Sequence, residues 1–271
     1  MKRFFVLTFG FFTLLAAARL FAGPEPLPSG KEMKQVAPPA PELCNWTGFY
    51  LGGNLGYAFE GRANLDLDLG GEWLVFSPPR DADFAMPLGS QDLNASGVVA
   101  GGFLGYNYQW HSVLLGIEAG LDYVDLSDSF DSGIIGVASG DHLQVRQSYK
   151  TDYRGTIGPR LGYTWNRLLF YATGGLAIGD FKFSQQINEP EPGNPFTEGG
   201  STDDTQVGWM AGGGLEYCIA QHWSARVEYR YTDLGCVDFS TVGTMSEGNF
   251  TGHHEACLTY HSVTAGIAFK F

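Results

Sequence analysis

The chain has 271 residues, a formal net charge of −13 and 44% hydrophobic residues, and it is rich in Gly, Phe and Tyr. Charged residues make up only 17%, below the roughly 25% of an average soluble domain. The negative charge argues against a nucleic-acid-binding protein, because such proteins contact phosphates through basic surfaces.

The first 22 residues have the layout of a secretory signal peptide. A basic pair, Lys2 and Arg3, precedes an apolar run at 4–15 and a group of small residues. Because this run is shorter than the ~20 residues of a spanning helix, we expect cleavage after Ala18 or Ala22.

Residues 23–43 are rich in Pro and polar side chains. Such a composition does not form a packed core and is typical of a semi-extended linker. We therefore predict a periplasmic linker at 23–43, followed by one folded domain at 44–271.

The rest of the chain alternates with a period of two and predicts β-strands. In the stretch 46–59, for example, Phe49, Leu51 and Leu55 share one face, and Gly52 and Asn54 share the other. The eight predicted strands are Trp46–Phe59, Val98–Gln109, Val113–Tyr123, Asp152–Trp165, Leu168–Phe181, Thr205–Ile219, Trp223–Tyr231 and Thr259–Phe271.

The connections alternate between short turns and long segments rich in Asp, Gly, Ser and Pro. "WHS", "NR" and "AQH" connect the second and third, fourth and fifth, and sixth and seventh strands. Short turns at one end and long loops at the other are typical of outer-membrane barrels. We therefore predict four long external loops.

Period-two alternation alone does not separate a membrane barrel from a secreted soluble barrel or sandwich. The positions of Trp46, Trp110, Trp165 and Trp223 near strand ends favour the membrane, since Trp prefers its interface. With the apolar faces turned to lipid, we expect Trp46 at the periplasmic interface.

Charged residues on the opposite strand faces nearly balance, as a narrow lumen filled by side chains requires. The predicted lumen charge network consists of Glu118, Asp122, Glu216 and Glu228 with Arg154, Arg160, Arg226, Arg230 and Lys270.

Several motifs together resemble those of small bacterial outer-membrane β-barrel proteins of the OmpA-like, porin-family surface-antigen type. They are "WTGFYLGGNLGY", "GGFLGYNYQW", "RGTIGPRLGYTW", "VGWMAGGGLEY", "HWSARVEYRYTDLG" and "TAGIAFKF". The resemblance implies an eight-stranded antiparallel up-and-down transmembrane β-barrel, with Phe271 in the C-terminal signal read by the barrel-assembly machinery. Pro159 and the four cysteines depart from the family pattern.

The four cysteines are candidates for disulfides, since an exported chain folds in an oxidising compartment. Cys236 and Cys257 bracket the last long connection, and we favour that pair over free thiols. A bond between Cys44 and Cys218 would tether the linker beneath the barrel.

Other polar groups suggest only weak sites. "GHHEAC" offers His253, His254, Glu255 and Cys257, with His261 nearby, but the spacing fits no standard zinc pattern. Asp66, Asp68, Asp81 and Asp83 could bind calcium or bridge to lipopolysaccharide through cations, although an acidic solvated exterior is favoured. No Gly-x-Ser-x-Gly or His-Glu-x-x-His motif is present. We expect no cofactor, metal or catalytic site.

The predicted function is that of a non-enzymatic outer-membrane barrel with a structural or surface-interaction role, such as envelope integrity or adhesion. Its expected partners are outer-membrane lipid, lipopolysaccharide and the barrel-assembly machinery, without nucleic acid. The alternative is a small pore for passive solute diffusion. The sequence leaves the oligomeric state open.

Overall fold

The computed structural model describes residues 44–71, 85–136, 142–190, 196–245 and 248–271. The predicted signal peptide at 1–22 and linker at 23–43 lie outside the described residues, as do Asp81 and Asp83. Within the described ranges, no helix is long and apolar enough to cross a membrane.

The described chain is almost entirely antiparallel strand. The strands are β1 Gly48–Gly71, β2 Leu93–Trp110, β3 Val113–Asp131, β4 Ile135–Gly136, β5 His142–Trp165, β6 Leu168–Glu189, β7 Phe196–Ala220, β8 Trp223–Met245 and β9 Gly248–Lys270. A helical segment covers 85–89. The eight long strands close into a ring, because β1 pairs with both β2 and β9 and β3 pairs with β5. This confirms the predicted eight-stranded barrel.

The three short turns lie at the same end of the barrel as both ends of the domain. They occupy 111–112, 166–167 and 221–222. In two of these turns, His111 and Asn166 adopt positive φ values of 56° and 55°, which is typical of tight hairpin turns. The amide of Phe271 donates to the carbonyl of Phe49 at 3.0 Å. Short turns are typical of the periplasmic end of outer-membrane barrels, and we therefore call this the periplasmic end.

A belt of exposed apolar side chains surrounds the half of the barrel next to these turns. Each long strand contributes at least one exposed residue: Leu51, Leu104, Ile117, Leu161, Leu176, Leu215, Val227 and Ile267. Trp110, Trp165 and Trp223 are exposed beside the turns. An outward apolar band bordered by aromatic rings is the surface that a barrel presents to lipid.

The prediction of four long loops is wrong for three of them, because most of their residues extend the strands, whereas residues 72–92 still connect β1 to β2. β1 continues to Gly71 and β6 to Glu189, and β8 and β9 run to either side of residues 246–247. Asp66 and Asp68, predicted in a loop, lie on β1 and point outward. The barrel therefore continues well beyond the lipid belt, and we call this distal part the extension.

The polarity of the two faces reverses between the belt and the extension. On β9, Val263 and Ile267 point outward in the belt, whereas Leu258 and Tyr260 point inward in the extension. The extension is thus built like a soluble barrel, with apolar side chains inside and polar ones outside.

β-Bulges produce the same reversal on β1, β5 and β8. Register shifts occur between Ala58 and Gly61 in the β1–β2 pair, and at corresponding heights in the β5–β6 and β8–β9 pairs. The apolar residues of β1 occupy odd-numbered positions on both sides of the bulge. Leu55, on the side of the lipid belt, nevertheless points outward, whereas Leu65, in the extension, points inward. One extra residue therefore exchanges the two faces.

Two apolar clusters fill the extension. The larger cluster, next to the belt, includes Leu126, Tyr149, Phe181, Phe183 and Tyr260. The second, farther out, joins Leu67, Leu143 and Val145 to Ala85 of the helical segment. The extension consequently has its own core, separate from the polar lumen inside the belt.

Candidate functional site

Glycines on the inner strand faces make room for the polar lumen. A Cβ atom on Gly101 would collide with the carboxylate of Asp122, and one on Gly105 with the hydroxyl of Tyr50. The period-two pattern of small and polar residues is therefore what allows long charged side chains to fit inside a narrow barrel.

Asp122 and Arg154 form the ion pair nearest to the extension. Oδ2 of Asp122 accepts hydrogen bonds from Nη2 and Nε of Arg154 at 2.6 and 3.2 Å. Nη1 of Arg154 donates to the hydroxyls of Thr232 and Ser262 at 3.1 and 3.3 Å, and Asn54 donates to Asp122. Both charged side chains are buried, so each depends on the other for its stability.

Glu118 is the centre of a second group. Its Oε2 accepts from Nη1 of Arg226 at 2.6 Å and from the hydroxyl of Tyr50 at 2.8 Å. Arg160 and Arg230 lie within 3.7 and 3.8 Å of its oxygens. This carboxylate therefore joins side chains from opposite sides of the barrel wall.

Two further carboxylates complete the pairing of the arginines. Arg160 donates to Glu216, and Arg230 forms an ion pair with Glu228. The guanidinium carbon of Arg160 lies 3.6 Å from the ring centre of Tyr171. Four arginines thus meet four carboxylates, which gives a lumen without net charge among these groups.

Lys270, predicted in the same network, lies instead at the periplasmic rim. Its Nζ donates to the carbonyl of Asn45, in the segment that enters the barrel. Lys270 occupies an inward position of the β9 alternation. It is the last residue of the strand, however, and therefore lies closer to the short turns than the lumen carboxylates do. Phe271 is exposed beside Phe269, and its role as an assembly signal stays a prediction.

Trp46 closes the periplasmic end of the lumen. It is only 5% exposed and packs with Leu114, Leu169 and Tyr171, so its predicted position at the membrane interface is wrong. The Trp46 amide donates to Oε1 of Gln109 at 3.0 Å. The chain therefore enters the barrel mouth before β1 begins, and periodicity within the strand could not indicate this.

Both predicted cysteine pairs are joined in the structure. The Cys44–Cys218 disulfide fixes the entering segment to β7 beside Trp46. The Cys236–Cys257 disulfide connects directly opposite residues of β8 and β9. The latter pair lies partway along the hairpin, not at the ends of a loop as predicted, because the strands continue past it.

The residues of "GHHEAC" alternate between the inner and outer faces of β9, so they do not form one cluster. His254 points inward, whereas His253 and Glu255 point outward with Cys257. Within the described ranges, the group of side chains close enough to share a metal ion is Cys236, Glu255 and Cys257. Since its two sulfurs are bonded to each other, this group does not offer a thiolate set for a metal.

A buried polar group in the extension was missed by the sequence reading. Nε2 of His254 lies 2.8 Å from the hydroxyl of Thr241, which donates to Glu198 at 2.8 Å, and Nδ1 lies 3.0 Å from Oε1 of Gln185. Burial lowers the pKa of His254 to about 4, with a smaller contribution from His253. The imidazole is therefore neutral at ordinary pH, so one of its ring nitrogens can donate a hydrogen bond and the other can accept one.

Comparison with known proteins agrees with this architecture. The chain matches the family described as "Outer membrane protein beta-barrel domain" over residues 36–271. It is 34% identical over 233 residues to the 31 kDa outer-membrane immunogenic protein of Brucella melitensis, which covers 85% of each chain. It is 29% identical over 237 residues to the 22 kDa outer membrane protein of Rhizobium leguminosarum, which covers 88% of this chain and 83% of that one.

Among solved structures, the chain is similar to Neisserial surface protein A, with a TM-score of 0.36 and 13% identity over 83% of this chain and 98% of that one. The family match and the closed sheet place the protein in the outer membrane, in contact with membrane lipid and lipopolysaccharide. The chain belongs to the outer membrane protein beta-barrel domain family.

Proposed function

We propose that the protein is a non-conducting, non-enzymatic barrel that presents a rigid extension on the cell surface. In this proposal its role is structural or interactive, in envelope integrity or adhesion, and its active surface is the polar exterior of the extension. The extension is rigid because it has its own apolar core and pairs its strands beyond the lipid belt.

The filled lumen is the observation that carries the proposal. The cluster of Trp46 with Leu114 and Leu169 fills the periplasmic mouth of the barrel. The arginine–carboxylate network fills the middle. The apolar cluster with Tyr149 and Phe181 fills the adjoining part of the extension. Three successive layers of buried side chains give strong support to a sealed barrel. A pore would require all three of these layers to move.

The name of the Brucella relative offers a second line of support. That protein is called immunogenic, and immune recognition of an outer-membrane protein requires exposed surface. The extension supplies such a surface here, with exposed polar residues such as Asp66, Ser201 and Asp238 on its strands.

Cysteine labelling on intact cells tests surface display. Ser201 lies exposed on β7 in the extension, and Arg167 lies exposed at a periplasmic turn. We expect a membrane-impermeant maleimide to label Ser201→Cys on intact cells, and Arg167→Cys only after the outer membrane is permeabilised. Labelling of Arg167→Cys alone on intact cells would refute the proposed orientation.

A further inference from the structure

A layer of buried polar side chains lies between the two apolar clusters of the extension. Its members include inward residues of four neighbouring strands, namely Gln185 on β6, Glu198 on β7, Thr241 on β8 and His254 on β9. Each of the four is at most 3% exposed. Only His254 belongs to a motif that the sequence indicated, and its partners come from three other strands.

Neighbouring side chains fix the orientation of the His254 ring. The ring stacks on that of Phe239, with centroids 4.6 Å apart and planes inclined by 10°. Nδ1 of His254 lies 3.0 Å from Oε1 of Gln185, and an amide oxygen can only accept a hydrogen bond. Nδ1 therefore carries the proton of the neutral ring, and the lone pair of Nε2 points toward Thr241.

The contacts around Thr241 contain one hydrogen too few. Its hydroxyl has a single hydrogen, which it donates to Oε1 of Glu198 at 2.8 Å. The hydroxyl oxygen also lies 2.8 Å from Nε2 of His254, and it has no second hydrogen to donate there. Lone pairs of one nitrogen and two oxygens therefore converge, an arrangement that a small cation stabilises by coordination.

A glycine leaves space at the point where these three atoms converge. Gly252 is the cross-strand partner of Thr241. A Cβ atom on Gly252 would lie 2.6 Å from Oε1 of Glu198, 2.8 Å from Oγ1 of Thr241 and 3.0 Å from Nε2 of His254. This space is too tight for a methyl group. Atoms that share a zinc ion at about 2.1 Å lie roughly 3 Å apart, a spacing close to the two contacts of Thr241.

We propose that His254, Glu198 and Thr241 form a binding site for a divalent transition-metal ion such as Zn²⁺. Nε2 of His254 and the carboxylate of Glu198 are two ligands of the usual zinc types, and the Thr241 hydroxyl is the third. The hydrogen bond from Nδ1 to Gln185 is the contact that orients a metal-ligating histidine. A mixed nitrogen and oxygen set selects such an ion over Mg²⁺ and Ca²⁺, which prefer oxygen ligands alone.

The site joins three strands near the outer mouth of the extension. Glu198 is the third residue of β7, and Thr241 is the fifth from the end of β8. A bound ion therefore cross-links β7, β8 and β9 close to their outer ends, so the rigidity of the extension depends on metal. This set differs from the outward group of two bonded cysteines and Glu255, because it combines an imidazole and a carboxylate with a hydroxyl.

Zinc titration of the folded, disulfide-bonded protein tests the site, with Mg²⁺ as the comparison ion. By calorimetry we expect about one zinc ion per chain and no measurable binding in His254→Gln. Gln185→Leu should weaken binding about 10–100-fold, whereas Gln185→Glu, which still accepts the Nδ1 proton, should retain it. The matched controls are His253→Gln and Glu255→Gln, at exposed neighbouring positions of β9, and they should bind as the wild type does.

Filling the space at Gly252 tests the geometry without removing a ligand. Because the methyl group of Gly252→Ala lies where we place the ion, this variant should lose zinc binding. Heat-modifiable migration on gels verifies that every variant is folded. If Gly252→Ala does not fold, X-ray absorption at the zinc edge of the wild type replaces it. That spectrum should show one imidazole nitrogen with oxygen ligands and no sulfur.

Three results would overturn the inference: no zinc bound by the folded wild type, equal affinity in His254→Gln, or an equal loss in His253→Gln. Sulfur among the zinc ligands, or a folded Gly252→Ala that binds as tightly as the wild type, would place the ion elsewhere and overturn it too. Maleimide labelling of Ser201→Cys does not depend on zinc. If labelling succeeds and zinc binding fails, only this inference is wrong.

Discussion

Nη2 of Arg154 and Oδ2 of Asp122 meet at 2.6 Å inside the barrel, and each side chain is 1% exposed. Removal of one partner leaves the other as an unpaired buried charge, which costs about 3–5 kcal/mol. We expect Arg154→Met to lower the free energy of unfolding by that amount, measured from the urea midpoint of the heat-modifiable band.

The double variant Asp122→Asn/Arg154→Met is the matched control for this pair. It removes both charges, so we expect it to recover most of the lost stability. A double variant as unstable as Arg154→Met would show that the network is not stabilised by charge pairing. Arg62→Met, at an exposed position, should have little effect.

The two disulfides should differ in their contribution to stability. Cys44 and Cys218 are 174 residues apart, whereas Cys236 and Cys257 are 21 apart. In the chain-entropy description, a longer closed loop gives more stabilisation, within a usual range of about 2–4 kcal/mol. We expect Cys44→Ser/Cys218→Ser to lower the urea midpoint more than Cys236→Ser/Cys257→Ser. Alkylation of all four cysteines without a reductant would contradict both bonds.

Stability should fall in mild acid because of His254. Its pKa is lowered to about 4 in the folded protein, whereas an unfolded histidine titrates near 6.5. Between these values the unfolded chain binds the extra proton, so stability is complete above pH 6.5 and is lost as the pH falls toward 4. The loss is up to about 3 kcal/mol for the full shift.

Urea midpoints of the wild type and His254→Gln between pH 7.5 and 4.5 measure this effect. In the wild type, the urea midpoint should fall as the pH is lowered. We expect this dependence on pH to be weaker in His254→Gln and unchanged in His253→Gln, since His253 points outward. Equal slopes in the wild type and His254→Gln would assign the acid sensitivity to other groups.

The β8 bulge requires a residue with positive φ. Gly235 has a φ of 75°, and a Cβ atom there would meet nothing within 4 Å. Any cost of Gly235→Ala is therefore conformational, and we expect a loss of about 1–2 kcal/mol. Gly136→Ala, equally open but without a positive φ, should be neutral. Equal urea midpoints for the two variants would show that the bulge tolerates a side chain.

The sequence predicts the membrane half of the barrel well because lipid imposes one simple rule on every strand. Residues such as Leu51 and Ile267 must point outward, and two of the three short turns contain a residue with positive φ, such as Asn166. The inward parity of Glu118 and Arg226 follows from the same alternation. The exact pairing of these charges depends on strand stagger, which the pattern does not contain.

The extension could not be predicted in the same way. On β9 the apolar residues shift from odd-numbered positions, such as Val263, to even-numbered positions, such as Tyr260. A break in alternation of this kind is typical of the end of a strand. On β1 the parity continues, but Asp66 and Asp68 occupy the face that lipid would have covered. A bulge that exchanges the two faces has only a weak sequence signal, since Glu60 is neither Gly nor Asn although its φ is 50°.

Single-channel recording in planar bilayers tests the sealed barrel most directly. The buried layers around Trp46, Glu118 and Phe181 predict that the purified, heat-modifiable protein shows no steady open state over a range of voltages. Steady ohmic openings that change in size when Arg226 is replaced would contradict the account, because current would then pass through the lumen that these side chains fill.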